Sequence, residues 1–231
     1  MKLIDEEFTR HPFYGSRRMR IYLKGCGQPI CRDKVRALMR IMGIEAIYAE
    51  PKLSTKQDDH IIYPYLLRNT KIEQCDQVWS SDITYIRMRH GFLYLTAVID
   101  WFSRYIVAWR LSNSLEGDFC REAVRDALKL GRPGIFNVDQ GVQFTCKEFV
   151  ELIKGHNIRL SMDGKGRYLD NILAERLWRT VKYEEVYLND YRDGLEAHER
   201  LGKYFAFYNN DRPHQSLGYV PPLKIYSRGL L

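Results

Sequence analysis

The sequence predicts an α/β protein with a mixed five-stranded sheet and a small helical element at its N-terminus. Apolar residues recur at helical spacing over the first 50 residues, and strand-like runs begin at residue 78. From there the element order is β-β-β-α-β-α-β-α. Hairpin-linked strands pair antiparallel and strands joined through helices pair parallel, so the first three strands should be antiparallel and the last two parallel.

Composition narrows the class of protein. The chain has 231 residues, of which 45% are hydrophobic and 28% charged, enough for one sizeable domain with an appendage. Its net charge of +7 favours an anionic partner, nucleic acid first. Five scattered cysteines without a C-x-x-C pair indicate reduced thiols. No apolar run is long enough to span a membrane and no signal peptide is evident, so a cytoplasmic protein is expected.

The N-terminal element, residues 1–50, is predicted to be helical and helix-turn-helix-like. After the turn GCGQP, an apolar stripe at i, i+3, i+4 and i+7 alternates with basic residues, as in a DNA-binding helix pair. A plain helical hairpin with a solvated basic face is an equal alternative. Residues 51–77 are polar and lack periodicity, which predicts a linker before a core at 78–231. The candidate DNA contacts of the element are Arg17, Arg18, Arg36 and Arg40.

The core is predicted from strand and helix signals in order. The second strand is almost continuously apolar, as expected for a strand buried on both faces. Thr145 with Glu148 forms a capping-box pattern, and Asp170 is placed to cap the last helix. The predicted strands are 78–87, 92–100, 105–111, 134–138 and 158–161, and the helices are 115–130, one after residue 145, and 170–187.

Asp82 lies in the middle of the first strand, where aspartate is disfavoured. Alternation places it on one face with Ser80 and Thr84, so it points out of a small polar face rather than into the hydrophobic one. If it stood alone, a solvent-facing aspartate on a one-sided sheet would explain it.

Two further acids fit the same region. Asp139 directly follows the strand 134–138, and in parallel sheets ligand-binding groups gather at the carboxyl ends of strands. Glu175 lies off the apolar stripe of the last helix, with 35 residues between it and Asp139. Taken singly, each has an ordinary explanation, as a turn-forming aspartate and an exposed helical glutamate.

Together these motifs resemble a known family. SDITYI, VDQGVQFT and DNILAERLWRTVKYE, with 35 residues between Asp139 and Glu175, resemble the D, D-35-E core of retroviral-integrase-type transposases, most closely the second-frame products of bacterial insertion sequences. YNNDRPHQSLGYVPP (208–222) resembles that group's C-terminal motif. HPFYGSRRMRIYL with KVRALMRIMGI resembles its upstream helical element. The four motifs occur in order over nearly the whole chain, which makes the resemblance specific.

The resemblance implies a ribonuclease H-like integrase core in which Asp82, Asp139 and Glu175 converge as catalytic and metal-binding residues. Clustered carboxylates repel unless cations neutralise them, and Mg²⁺ or Mn²⁺ suits oxygen ligands. Asp82 would bridge two ions, and Asp139 and Glu175 would each help to hold one. Water would be the nucleophile for cleavage and a 3′-hydroxyl for strand transfer.

Basic and polar residues near Glu175 are the candidate DNA contacts of the core. Lys182 follows Glu175 by seven residues, close to two helical turns, and the resemblance implies contact with a phosphate or terminal base. Arg179 and Asn171, at i+4 and i−4, are further candidates. The alternative for Lys182 is pairing with a neighbouring glutamate.

The resemblance also implies the partners. These are DNA, as transposon ends and target, and further copies of the chain assembled on it, in the bacterial cytoplasm at the nucleoid. An upstream frame often supplies an end-recognition domain in this group. Because the chain starts close to its first helix, an upstream-frame protein or fusion is expected as well.

Two other functions compete with a metal-dependent DNA transposase. A catalytically silent DNA-binding remnant or regulator of transposition is one, although all three acids are present. The other is a ribonuclease H-like nuclease acting on RNA–DNA hybrids. That nuclease would need the acids but not RPHQSLGY or the upstream helices.

Overall fold

A computed structural model of the protein describes residues 1–46, 62–164 and 172–227. The chain forms two compact units, Met1–Gln57 and Asp58–Leu231. The predicted linker 51–77 falls across this division, and its part up to residue 61 lies outside the described residues.

The first unit contains three short helices, α1 (Lys2–Arg10), α2 (Ser16–Gly25) and α3 (Arg32–Ile41). Their apolar positions meet in one small core, and the predicted stripe of α3 contributes to it through two fully or nearly buried side chains. The core consists of Ile4, Met19, Leu23, Val35 and Met39. The arginines of α2 and α3 lie on the opposite, exposed faces.

The second unit is built on the predicted mixed sheet of five strands, which is confirmed. The strand order is β3-β2-β1-β4-β5. β1 pairs antiparallel with β2, and β2 with β3, while β4 pairs parallel with both β1 and β5. The strands are β1 (Val78–Arg87), β2 (Phe92–Asp100), β3 (Ile106–Ser112), β4 (Ile135–Val138) and β5 (Arg159–Met162).

Helices cover both faces of the sheet because side chains alternate between them. On one face, Trp79 of β1 and Phe136 of β4 pack with α4 (Asp118–Ala127) and α6 (Lys147–Gly155), which follows the single turn α5 (Val142–Thr145). On the other, Ile86 of β1 packs with α7 (Ile172–Glu184) and α8 (Gly194–Asn210). A short helix α9 (Pro222–Tyr226) follows. The unit is thus a three-layer α/β/α sandwich.

The capping box predicted at Thr145 is not formed. Thr145 ends α5, and its hydroxyl donates to the carbonyl of Gly141 at 3.1 Å. α6 begins at Lys147 after Cys146, without a side-chain cap. The N-cap position of α6 is therefore occupied by Cys146, and Thr145 lies one residue before it.

The last predicted helix is shorter than expected. It ends at Glu184, and Val186–Leu188 form a separate 3₁₀ turn. The expected cap Asp170 lies outside the described residues. α8, whose N-cap Asp193 accepts from the Glu196 amide at 2.9 Å, was not predicted, and it completes the second face of the sheet. No helix in the described ranges combines the length and apolar character needed to cross a bilayer.

Candidate active site

Asp82 is held in β1 by two donors. Its Oδ1 accepts from the backbone amide of Ile83 at 2.8 Å, and its Oδ2 accepts from the indole Nε1 of Trp178 at 3.0 Å. The side chain is half-buried. Its strand face is covered rather than open to solvent, since Ser80 and Thr84 on the same face are buried. Ser80, Asp82 and Thr84 do form the predicted polar strip on this face of β1. The strip is covered by α7.

Trp178 links Asp82 to the helix that carries Glu175. Glu175 lies three residues earlier on α7, about 4.5 Å along the helix axis. Side chains at i and i+3 share a helix face, so Glu175 projects from the same side of α7 that touches β1. Glu175 itself is exposed. Trp178 was predicted as a core residue, which is confirmed by its 6% exposure, but its hydrogen bond to the carboxylate was missed.

Asp139 lies level with Asp82 on the neighbouring parallel strand. The β1–β4 register pairs Ser80 with Asn137, and its continuation by two residues places Asp139 opposite Asp82. In parallel strands, residues at equal register point to the same face. We therefore expect the two aspartates to leave the sheet side by side, just beyond the carboxyl end of β4 at Val138.

The loop after β4 fixes the Asp139 carboxylate. Its Oδ1 accepts from the backbone amide of Gly141 at 2.9 Å. Burial raises the pKa of Asp139, and the Gly141 amide offsets part of that rise. A Cβ at Gly141 would lie 2.9 Å from the same Oδ1, so glycine leaves the space that the carboxylate occupies.

A pair of polar residues that sequence reasoning missed lies beside Asp139. Asn137 and Asp163 are buried, and the Asn137 amide Nδ2 donates to Asp163 Oδ1 at 2.8 Å. Gln140 adds a bond from its Nε2 to the Asp163 carbonyl at 2.9 Å. These two hydrogen bonds join the carboxyl ends of β4 and β5 next to Asp139. No local pattern reports this pair, because Asn and Asp at strand ends are commonplace.

The donor chemistry of the three acids fits a hard divalent cation. All their ligand atoms are carboxylate oxygens, and a half-buried carboxylate such as Asp139 benefits from a neutralising charge. Within residues 1–46, 62–164 and 172–227, no three His, Cys, Asp or Glu side chains form a group that could hold one ion. Convergence of Asp82, Asp139 and Glu175 on one metal therefore stays a prediction.

The candidate DNA contacts of the core lie along α7. Lys182 is half-buried and lines a cavity of about 410 Å³ with Tyr85, Phe92 and Tyr187. Arg179 is exposed, with its guanidinium carbon 5.7 Å from the ring centre of Tyr183. Asn171 lies outside the described residues.

The glutamates considered as alternative partners for Lys182 are used elsewhere. Glu184 pairs with Arg212 at 2.6 Å and Glu185 with Arg200 at 3.1 Å. In the part of the chain that is described, no ion pair involves Lys182. Pairing with a neighbouring glutamate therefore does not account for Lys182.

The candidate contacts of the N-terminal unit are all exposed: Arg17, Arg18, Arg36 and Arg40. Arg18 stacks over Tyr14 at 5.7 Å, and Arg36 makes only a long pair of 4.0 Å with Asp33. An exposed pair at that distance contributes little to stability, so these side chains can turn to another partner.

The C-terminal motif 208–222 has a structural role that the sequence did not indicate. Arg212 donates from Nε to Glu184 Oε2 at 2.7 Å and from a terminal nitrogen to Oε1 at 2.6 Å. The hydroxyl of Tyr204 donates to the same Oε2 at 3.0 Å. These bonds fasten the motif to the last turn of α7. The Arg212 guanidinium holds the pKa of Glu184 below its usual value.

Family models match three parts of the chain, two of which overlap. An integrase core domain model matches residues 73–167, a second integrase core domain model matches residues 156–222, and an HTH-like domain model matches residues 1–52. The last match favours the helix-turn-helix interpretation of the N-terminal unit over a plain hairpin.

Curated relatives are similar over most of the chain. The transposase for insertion sequence element IS904 of Lactococcus lactis is 30% identical over 216 residues, covering 90% of this chain and 85% of the relative. The transposase for insertion sequence element IS629 of Shigella sonnei is 29% identical, covering 92% of this chain and 73% of the relative.

Among solved structures, the HTLV-2 integrase catalytic core domain in complex with magnesium, in a dimeric form, matches with a TM-score of 0.54 and 20% identity. The match covers 66% of this chain and 97% of that one. The catalytic core domain of BIV integrase matches with a TM-score of 0.54 and 16% identity over 67% of this chain and 96% of that one. At these identities the likeness establishes the ribonuclease H-like fold.

Proposed function

The chain belongs to the bacterial insertion-sequence transposases of the integrase superfamily, and from this premise we propose that Asp82, Asp139 and Glu175 are its catalytic carboxylates. As a member it is a DDE transposase, a polynucleotidyl transferase acting on DNA. The observation that carries the residue assignment is the Trp178–Asp82 hydrogen bond, because it holds the strand bearing Asp82 against the helix bearing Glu175. The parallel register that brings Asp139 level with Asp82 supplies the third acid.

Divalent metal use follows from the family, and we propose Mg²⁺ or Mn²⁺ as the ion, two per site. When bound, the ions activate the attacking oxygen and neutralise charge on the leaving oxygen of an in-line displacement. Asp82, fixed by its two donors, would hold both ions, and Asp139 and Glu175 would hold one each. Glu175 is exposed on α7, and its side chain can turn towards Asp82 at low cost.

The chemistry requires no covalent link between protein and DNA. In cleavage, a water oxygen forms a bond to phosphorus and the bond to the 3′-oxygen breaks, leaving a 3′-hydroxyl on the transposon strand. In strand transfer, that hydroxyl attacks a target phosphodiester, whose 3′-oxygen leaves. The carboxylates position the reacting groups, so neither a tyrosine nor a serine nucleophile is needed.

DNA is bound by this family, and the contacts of this chain are a proposal. Lys182 and Arg179 lie on the α7 face of Glu175, where they would bind phosphates next to the scissile bond. Asn171, which lies outside the described residues, stays a candidate from its position four residues before Glu175. In the N-terminal unit, Arg17, Arg18, Arg36 and Arg40 would bind end-sequence DNA.

Two kinds of protein partner are also proposed. Joining two transposon ends to one target requires at least two active sites, so copies of the chain would assemble on DNA. An upstream-frame protein or fusion, implied by the family resemblance, would add end recognition. Both proposals place the protein at the nucleoid of the bacterial cytoplasm, where its substrate lies.

The test uses the purified protein, alone and joined to its upstream-frame partner, with end-containing DNA and Mg²⁺ or Mn²⁺. Nicking and joining are expected for the wild type. Asp82→Asn, Asp139→Asn and Glu175→Gln should lower both by about a thousandfold, since metal-borne charge stabilisation is worth several kcal/mol. Asp190→Asn is the control, because Asp190 is exposed and pairs only at the surface with Arg89.

The outcomes separate the competing functions. If the wild type binds ends but neither nicks nor joins them, a silent regulator is the better description. If Asp82→Asn stays active, the assignment of the acids is wrong. Cleavage restricted to RNA–DNA hybrids would favour the nuclease.

A further inference from the structure

A second concave site lies on the other side of α7. A cavity of about 910 Å³ opens between α7, the turn joining β2 to β3, and the C-terminal motif. Its volume falls in the range of ligand sites, roughly 300–1,000 Å³. Its basic and aromatic lining residues include Arg104, Arg176, Arg212, His214, Tyr183 and Tyr219.

Apart from Arg179, which lies at the border between the two, this cavity is separate from the face that carries Glu175. An α-helix turns about 100° per residue, so Arg176 and Thr180, which line the cavity, point well away from Glu175, Trp178 and Lys182. None of the three acids lines it. A ligand in the cavity would therefore not occupy the proposed metal positions.

The cavity wall carries excess positive charge. Among the described residues, four arginines line it, and the one acid in this lining, Glu184, accepts two bonds from Arg212. Burial lowers the pKa of Arg104, and the neighbouring Arg176 lowers it further. Burial, with Arg212 and Arg104, also lowers the pKa of His214 to about 4, so its ring is neutral at pH 7. Like charges gathered in a concave wall favour an anion between them.

Two unusual backbone conformations line the same cavity. Five non-glycine residues in the described ranges have a positive φ, and three of these are Asn or Asp, which tolerate it. The other two are Arg104 and Tyr219, each with φ of 64°. A bulky side chain rarely adopts this conformation unless its surroundings hold it there. Both side chains are thus placed in the cavity wall at the expense of backbone strain.

Aromatic rings stand at the rim. Tyr183 and Tyr219 line the cavity and are 64% and 68% exposed, so their ring faces are open to a ligand. Arg179 lies over the Tyr183 ring at 5.7 Å. Proteins bind single-stranded nucleic acid by stacking its bases on exposed aromatic rings and pairing its phosphates with neighbouring basic side chains such as arginine. A duplex keeps its bases stacked inside and cannot use such rings.

We propose that this cavity binds a nucleotide of single-stranded DNA, with its phosphate on Arg104 and Arg176 and its base against Tyr219 or Tyr183. The inference rests on the proposed function in that DNA is the substrate, but it uses none of the three acids. Under this proposal the C-terminal motif helps to bind DNA, because Arg212 anchors the segment that carries Tyr219 to α7. Strands that are unpaired during cleavage and transfer are the natural occupants.

The test measures binding by the full chain in EDTA, where no catalysis occurs. The probes are a fluorescein-labelled oligothymidylate of about 10 nucleotides, within the usual site size for single strands, and a hairpin duplex. Arg176→Gln should weaken oligothymidylate binding about tenfold and reduce the slope of log K against log salt by about 0.7, the value for one phosphate of a single strand. Hairpin binding should be unchanged.

Tyr219→Gly is the second variant. Glycine adopts the left-handed conformation without strain, so the turn should keep its shape while the ring is lost. A loss of about tenfold for the oligothymidylate is expected, since stacking on one ring is worth that much or more. Arg125→Gln, an exposed arginine on α4, is the charge-matched control and should bind both probes like the wild type.

The proposal is overturned if Arg176→Gln and Tyr219→Gly bind the oligothymidylate like the wild type. It is equally overturned if they lose oligothymidylate and hairpin binding to the same extent, or if the wild type does not bind the oligothymidylate. The binding measurement in EDTA requires no metal ion, and none of the three acids lines the cavity. A failure of the catalytic assignment in the cleavage assay would therefore leave this result unaffected.

Discussion

Trp178 donates a hydrogen bond from its indole Nε1 to Oδ2 of Asp82 at 3.0 Å, across 96 residues of sequence. The bond joins the central strand of the sheet to the helix that carries Glu175 one turn earlier. It fixes the direction of the Asp82 carboxylate, with Oδ1 held by the next backbone amide. We expect Trp178 to position Asp82 without touching the substrate.

Trp178→Phe should keep the ring packing and remove the donor. Outer hydrogen bonds to metal ligands are typically worth 10- to 100-fold in metal affinity or activity, so the Mn²⁺ concentration for half-maximal cleavage should rise by about tenfold or more. Trp79→Phe is the matched control, because its indole donates to Asp76 at 2.9 Å. Both variants should lose about 1 kcal/mol of unfolding free energy, and only Trp178→Phe should shift the metal dependence. Equal shifts would contradict the positioning role.

Gly141→Ala should displace the Asp139 carboxylate, because the new Cβ would lie 2.9 Å from Oδ1. Displacements of about 1 Å in a catalytic group cost roughly a hundredfold in rate, and cleavage with end DNA should fall by that order. Gly155→Ala is the control: it adds a methyl group in open space at the end of α6. Full activity in Gly141→Ala would show that catalysis does not depend on the position of the Asp139 carboxylate beside Gly141.

Arg212→Gln should loosen the C-terminal motif from α7. Both partners are partly exposed, so the pair should contribute only roughly 1 kcal/mol. The Arg212 pair lowers the pKa of Glu184, so the stabilisation is present above about pH 4.3, the unfolded value, and is lost as pH falls through the lower folded value. Thermal unfolding of wild type and Arg212→Gln should therefore differ at pH 7 and converge in acid. A difference that persists at pH 2 would rule out this ion pair as its source.

Asn137→Ala should destabilise the fold beneath the site. It removes the 2.8 Å bond to the buried Asp163 carboxylate, and hydrogen bonds to charged groups contribute roughly 1.5–3 kcal/mol. Urea unfolding should show a loss in that range. Asn113→Ala, in an exposed turn, should change the unfolding free energy by less than about 0.5 kcal/mol. Similar losses in the two variants would mean that the Asn137–Asp163 bond adds nothing.

The sequence predicted the sheet well because its signals are local. Alternation and β-branched residues gave the bounds of β1 and β2 to the residue, and the element order gave the parallel and antiparallel pairs. The Thr145 cap was wrong because a local pattern cannot tell at which residue one helix ends and the next begins, and the N-cap of α6 is Cys146. Only the folded loop shows that Thr145 bonds Gly141.

The candidate acids were predicted from spacing and resemblance, whereas their supports were not. Trp178 bonds Asp82 and Arg212 bonds Glu184, pairs that are far apart in sequence and have no periodic signature. The left-handed backbone conformation of Arg104 could not be predicted from the sequence either, since most arginines avoid this conformation. Contacts of this kind depend on how the layers pack.

The equal register of β1 and β4 makes the length of β4 as important as its composition. Because side chains alternate, one residue inserted between Asn137 and Asp139 would turn Asp139 to the face of α4 and α6, away from Asp82. A deletion at the same place would do the same. Neighbouring side chains can repack around a substitution within this short strand. They cannot compensate for an insertion or deletion, because it reverses the side of the sheet to which each following side chain points. We therefore expect natural and engineered variants to keep the count from Ile135 to Asp139 fixed.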